Sequence, residues 1–125
     1  LSAFMDAWER LDLFATQRDL PASARERMRA SRLANDAEAL ARTFEHAGQH
    51  AMPARVDVLA ALASLRASGA PVRYIAGALD VKYRTLAEGL EDEGLCEVRI
   101  VAGAGHNVHL EAPAAYLRAL EGFPG

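Results

Sequence analysis

The sequence predicts an α/β protein in which helices cover a parallel sheet. Two observations carry that reading. Residues 1–70 are rich in Ala, Leu, Arg and Glu, with apolar residues recurring at helical spacing. After Pro71 the pattern changes to two short apolar runs, VRYIAG (72–77) and CEVRIVAG (96–103), separated by a stretch of helical character at 83–91 and followed by a helix entered at Pro113. Strand, helix, strand, helix is the pattern of a parallel sheet whose crossovers are helical.

Taken in order, Phe4, Trp8 and Leu11 share one helical face. Leu20-Pro21 breaks that pattern, and Pro21 is placed to open a helix running to about Ser31, because a first-turn residue has no intrahelical acceptor to lose. Leu33, Leu40 and Phe44 mark a second helix that ends within Gly48–Pro53, and a further one runs from about Asp57 to Ser68 and stops at Gly69. Two strands do not make a stable sheet alone. The sheet is therefore expected to be small and unusual, or mostly missing.

With 125 residues, 51% of them hydrophobic, the chain is long enough for one domain with a core, or for part of one. Its net charge of −3 is spread along the sequence with no basic block to neutralise a phosphate backbone, so nucleic acid is not the expected partner. The lone Cys96 cannot form an internal disulfide and reads as a small buried residue in a reducing compartment. No apolar run approaches the roughly 18 residues that cross a bilayer, and the N-terminus lacks the pattern of a secretory signal. The expectation is a cytoplasmic protein with no membrane partner. The chain opens on Leu1 and enters a helical pattern almost at once, as a piece of a longer protein would.

Candidate chemistry lies at the strand ends. In open parallel sheets functional groups gather at the carboxyl ends of strands, and here Asp80 follows the first run and His106 the second. The small residues Ala102–Gly105 allow a sharp turn that would present His106 at an exposed strand end. An Asp held against one ring nitrogen of a His fixes its tautomer and leaves the other nitrogen as a general base. Each residue also has a purely structural reading: Asp80 as a turn or helix cap, His106 as a half-buried histidine bonded to backbone.

PVRYIAGALD, the segment after it and AGAGHNVHLEAP resemble the last two strands of an α/β-hydrolase, whose catalytic residues follow the order Ser, Asp or Glu, His. Within that superfamily the likeness is closest to the 2-succinyl-6-hydroxy-2,4-cyclohexadiene-1-carboxylate synthases (MenH). It is carried by Trp8 with LDLFATQ, by RASRLAND, by GALDVKY and by GHNVHLEAP. The resemblance implies the C-terminal portion of that fold, with 1–55 as most of a helical cap and 56–125 as the end of the core. It implies Asp80 and His106 as acid and base of the triad, Arg32 as a ligand to a carboxylate of a small polycarboxylate substrate, and Trp8 as an aromatic wall. An arginine suits that role because its planar fork binds a carboxylate through two hydrogen bonds.

The implied reaction is abstraction of a ring proton and elimination of pyruvate, as in menaquinone biosynthesis, without metal or organic cofactor. The same triad could run ester hydrolysis by nucleophilic attack. One family feature is missing. No Gly-x-Ser-x-Gly occurs, and Ser2, Ser23, Ser31, Ser64 and Ser68 all lie within or beside helical stretches. The chain as written is thus expected to be inactive alone and to need the N-terminal half of the fold. A rival from another class is a non-catalytic helical binding domain braced by two short strands. Three further features read as structural. His106-x-x-His109 with Glu111 is explained without a metal, Glu88–Glu93 is a solvated acidic turn, and Glu111-Ala112-Pro113 is a helix start.

Overall fold

The computed structural model describes residues 1–124. Its first half holds α1 (Ser2–Trp8), a 3-10 segment (Asp12–Asp19), α2 (Ala22–Leu33), α3 (Ala37–Ala47) and α4 (Arg55–Ala67). Three local choices shape it. Leu11 turns extended (φ −59°, ψ 141°), so the face carrying Phe4 and Trp8 ends at Trp8 and does not run on through Leu11 as the spacing suggests. Leu20 and Pro21 are both extended, which makes Pro21 the residue before α2, not its first helical residue. Steric clash with the proline ring keeps Leu20 out of the helical region. Asp36 caps α3 by accepting from the Ala39 N–H at 2.7 Å.

Trp8 is the hub of this half. Its ring packs against Phe4, Phe14 and Phe44 at centroid distances of 5.7, 5.4 and 5.6 Å, tying α1, the 3-10 segment and α3 together. Ion pairs join α1 to α2: Arg29 donates to Asp6 (2.6 Å) and Glu9 (2.7 Å), and Arg32 to Glu9 (3.0 Å).

The second half begins where Gly69 ends α4 in a left-handed conformation (φ 80°), with Ala70 N–H reaching back to the Leu65 carbonyl. Then come β1 (Arg73–Gly77), α5 (Val81–Asp92), β2 (Glu97–Val101), α6 (Val108–Glu111) and α7 (Pro113–Leu120). The strands pair in parallel, Arg73 opposite Glu97 through Gly77 opposite Val101. Side chains alternate between faces. Tyr74, Ala76 and Val98 pack with Ala87 and Leu90 of α5, with Leu59 and Leu62 of α4, and with Cys96. Ile75 and Val101 pack on the other face with Val108, Ala115, Tyr116 and Ala119.

Arg73 locks this unit. Its Nε and Nη2 donate to Glu97 Oε2 (2.9 and 2.7 Å), its Nη1 donates to the Ala119 and Glu121 carbonyls, and its guanidinium lies 4.9 Å from the Phe123 ring centroid. The core is thin for the helices around it. Leu79, Val81, Ile100 and Leu117 remain exposed, and the two strands form the whole sheet among the described residues. No helix among the described residues is long and apolar enough to cross a membrane.

Candidate active site

The ends of β1 and β2 are stitched together by backbone. Ala78 N–H donates to the Val101 carbonyl and Leu79 N–H to the Ala104 carbonyl, both at 2.9 Å. Gly77 permits this approach. A Cβ there would collide with the backbone of Ala104 and Gly105. Gly103 turns the second loop with φ 73°, a conformation that other residues rarely adopt. These two loops carry Asp80 and His106.

Asp80 uses both oxygens. Oδ1 caps α5 by accepting from the Tyr83 N–H (3.2 Å), and Oδ2 accepts from His106 Nδ1 (2.7 Å). The capping and pairing readings, open at the level of sequence, therefore hold together in one side chain. The Asp80 side chain is 7% exposed and that of His106 26%, so their bond lies at the edge of the protein interior with the ring still reachable. A carboxylate only accepts, which places the imidazole proton on Nδ1 and leaves Nε2 as the basic nitrogen. The His106 ring is held between Tyr83 (4.8 Å) and Phe14 (5.8 Å).

Phe14 connects the other two candidates to this pair. Trp8 packs on one part of it, and the Arg32 guanidinium carbon lies 5.8 Å from its ring centroid. The ring partners of His106 are Phe14 and Tyr83, not Trp8, and the hydrogen bonds of Arg32 go to Glu9 and Gln17, not to His106. Arg32 is not a solvated helix arginine: its side chain is 18% exposed, Nη1 donates to Glu9 and Nη2 to Gln17 Oε1 (2.7 Å). Gln17 is itself buried, and its Nε2 has no partner among the described residues. Beside them opens a cavity of about 350 Å³ lined by Phe14, Gln17, Arg18, Arg25, Arg29 and Arg32 together with Glu9 and Glu26, but not by Asp80 or His106.

Reading the sequence missed Phe14 and the bonds of Glu111. Phe14 lies in the LDLFATQ segment, but nothing in that segment signals a contact with a histidine loop so distant in the chain. Glu111 ends α6, separated from α7 by Ala112 alone, and its carboxylate bonds backbone. Oε2 accepts from Gly105 N–H (2.7 Å) and Oε1 from Asn107 N–H (3.1 Å).

The other titratable candidates have structural partners. Burial, reinforced by the charge of Glu91, pushes the Cys96 thiol up, the opposite of what a thiolate nucleophile needs. The His109 ring lies edge-on to Tyr116 at 6.0 Å, and no group of three His, Cys, Asp or Glu side chains is gathered for a metal among the described residues.

A parallel β-α-β unit with helices on both faces, and an acid and a paired histidine after consecutive strands, is the C-terminal part of an α/β-hydrolase fold. MenH from S. aureus has the same fold over 95% of this chain and 44% of its own, with a TM-score of 0.82 at 23% identity. In sequence the chain is 34% identical over 113 residues to the 2-succinyl-6-hydroxy-2,4-cyclohexadiene-1-carboxylate synthase of Salmonella newport (strain SL254), covering 90% of this chain and 40% of that enzyme. A Bacillus subtilis (strain 168) protein, provisionally given the same name, is 29% identical over 98% of this chain and 43% of its own. No family model matches the chain. The chain thus has the fold of the C-terminal part of an α/β-hydrolase and is similar to MenH proteins, and it spans about two fifths of the length of the curated relatives it matches.

Proposed function

We propose that this chain supplies the acid and the histidine of a Ser-Asp-His triad in a MenH-like lyase of menaquinone biosynthesis. The observation that carries the reading is the 2.7 Å bond from His106 Nδ1 to Asp80 at the ends of two neighbouring parallel strands. The curated relatives bearing the synthase name support the choice of reaction. The serine is to come from a Gly-x-Ser-x-Gly turn outside this chain, which as written is inactive alone.

In that enzyme Nε2 of His106 takes the serine hydroxyl proton, and the serine oxygen removes a proton from the substrate ring. The electron pair of the broken C–H bond forms a ring double bond as the C–O bond to the departing group breaks; that group leaves as the enolate of pyruvate and becomes pyruvate on taking up the proton held by the His106 imidazolium, which restores the neutral imidazole. Asp80 holds the imidazole in one tautomer and stabilises its charged form. Residues 1–55 act as a cap over the site and 56–125 as the end of the core. Trp8 forms an aromatic wall through Phe14. Arg32 offers a carboxylate the N–H groups that Glu9 and Gln17 leave free, or exchanges Glu9 for the substrate.

A related esterase would use the same triad to attack a carbonyl. The two reactions separate in one experiment on the full-length protein: pyruvate release from the polycarboxylate precursor of 2-succinyl-6-hydroxy-2,4-cyclohexadiene-1-carboxylate, beside hydrolysis of a simple aryl ester. The proposal predicts pyruvate release that drops about 10⁴-fold in His106→Ala with the fold retained. Wild-type rates in that variant, or ester hydrolysis without pyruvate release, would overturn it.

A further inference from the structure

We infer that Glu111 is a positioning residue for His106, holding the backbone on both sides of the histidine so that Nδ1 stays on Asp80; this rests on the triad reading above. Its two carboxylate oxygens accept from Gly105 N–H and Asn107 N–H, the residues immediately before and after His106. Hydrogen bonds from backbone N–H to a carboxylate are stronger than neutral ones, and two of them to one rigid planar group fix the spacing between the donors. The carboxylate makes no ion pair among the described residues, so its hydrogen bonds are those two.

The loop is confined from the opposite side as well. A Cβ on Gly105 would collide with the Thr16 hydroxyl and come within 2.9 Å of Glu111 Oε2, so glycine is what lets the loop sit between the 3-10 segment and the carboxylate. Among the described residues the His106 ring itself has one hydrogen bond, to Asp80, and two aromatic neighbours. Its aim is therefore decided largely by where its backbone is held. Releasing that backbone lets the ring drift from Asp80, and misplacement on the scale of one ångström is costly to proton transfer.

The test compares Glu111→Gln and Glu111→Ala with wild type in the full-length protein, well below each melting temperature. Two quantities are read: the downfield proton resonance of His106 Nδ1, and kcat with KM for pyruvate release. Glutamine keeps the shape and one acceptor but sets an N–H against a backbone N–H; alanine removes both bonds. The inference predicts that the Nδ1 resonance moves upfield and exchanges faster in both variants. It also predicts a fall in kcat of about 10-fold for Glu111→Gln and about 10²-fold for Glu111→Ala, with KM within about twofold. A lowered melting temperature with wild-type resonance and kcat would overturn it, leaving Glu111 a cap of α6. Should Glu111→Ala fail to fold, the isosteric Glu111→Gln decides. If wild type releases no pyruvate, the lyase reading fails, while the Nδ1 resonance still decides the role of Glu111.

Discussion

Asp80 joins a local and a distant task in one carboxylate, and its two oxygens allow the tasks to be separated. Oδ1 caps α5 and Oδ2 holds His106. In Asp80→Asn the remaining carbonyl oxygen can still cap, but the amide cannot hold the imidazole in the same tautomer unless it gives up the cap. Stability is expected to fall by less than about 1 kcal/mol and turnover by about 10⁴-fold. Asp80→Ala loses the cap as well, so its urea midpoint is expected below that of Asp80→Asn at equal loss of turnover. Equal midpoints would show that the Tyr83 N–H bond does not stabilise α5. Asp80 and His106 were legible in the sequence because each follows a strand-like run through a turn of small residues. Phe14 and the bonds of Glu111 were not, because they depend on how close the 3-10 segment and α6 come to the histidine loop, and a local pattern does not encode that distance.

Among the elements, β1 and β2 were legible as apolar runs bounded by proline and glycine, and they differ from expectation only at their ends. The run read as 96–103 forms a strand over Glu97–Val101, since pairing with β1 stops where Gly77 meets Val101 and Gly103 turns the chain away. The N-terminal helices were less legible. Nothing like Gly or Pro marks the break after Trp8, and the packing of Phe14 on Trp8 overrides a helical pattern there. The contact at Gly77 predicts that Gly77→Ala forces the two loops apart, at about 1–3 kcal/mol of stability measured by urea unfolding.

Arg73 gives the strand pair a pH signature. Its hydrogen bonds hold the Glu97 carboxyl below the usual carboxylate range. A carboxyl with a lowered folded value stabilises the fold fully above its ordinary value, and that contribution fades as pH falls through the lowered one. Wild type is expected to lose stability over that acid interval, and Glu97→Gln to lose less of it; identical acid limbs would contradict the account. Arg73→Ala removes the bonds to the Ala119 and Glu121 carbonyls as well, so at neutral pH it is expected to cost more than Glu97→Gln.

For the whole molecule, the exposed side chains are the informative ones. Leu79 and Val81 beside the acid, Ile100 on β2 and Leu117 on α7 are exposed, and the sheet has two strands among the described residues. Exposed apolar faces and unpaired strand edges are the surfaces on which further strands and helices pack. In the proposed enzyme the N-terminal half of the fold covers them and brings the serine to His106. Two strand-like runs left a sheet that was either small and unusual or mostly missing; the chain spans 40–43% of the matched relatives, and the proposed enzyme takes the second alternative. Expressed alone, the 125-residue chain is expected to bind a hydrophobic dye strongly and to aggregate, and to stay dispersed when the N-terminal half is supplied. Weak dye binding by a stable monomer would favour a helical binding domain.

The central claim is that Asp80 and His106 work on a serine that this chain does not contain. It is tested most directly by the intact mass of the native polypeptide under denaturing conditions, with sequencing of what precedes Leu1. The account predicts a mass more than twice the 13.5 kDa of this chain, with a strand, a Gly-x-Ser-x-Gly turn and a helix in the preceding sequence. A native mass of 13.5 kDa would contradict it, because the pair would then have no nucleophile to serve.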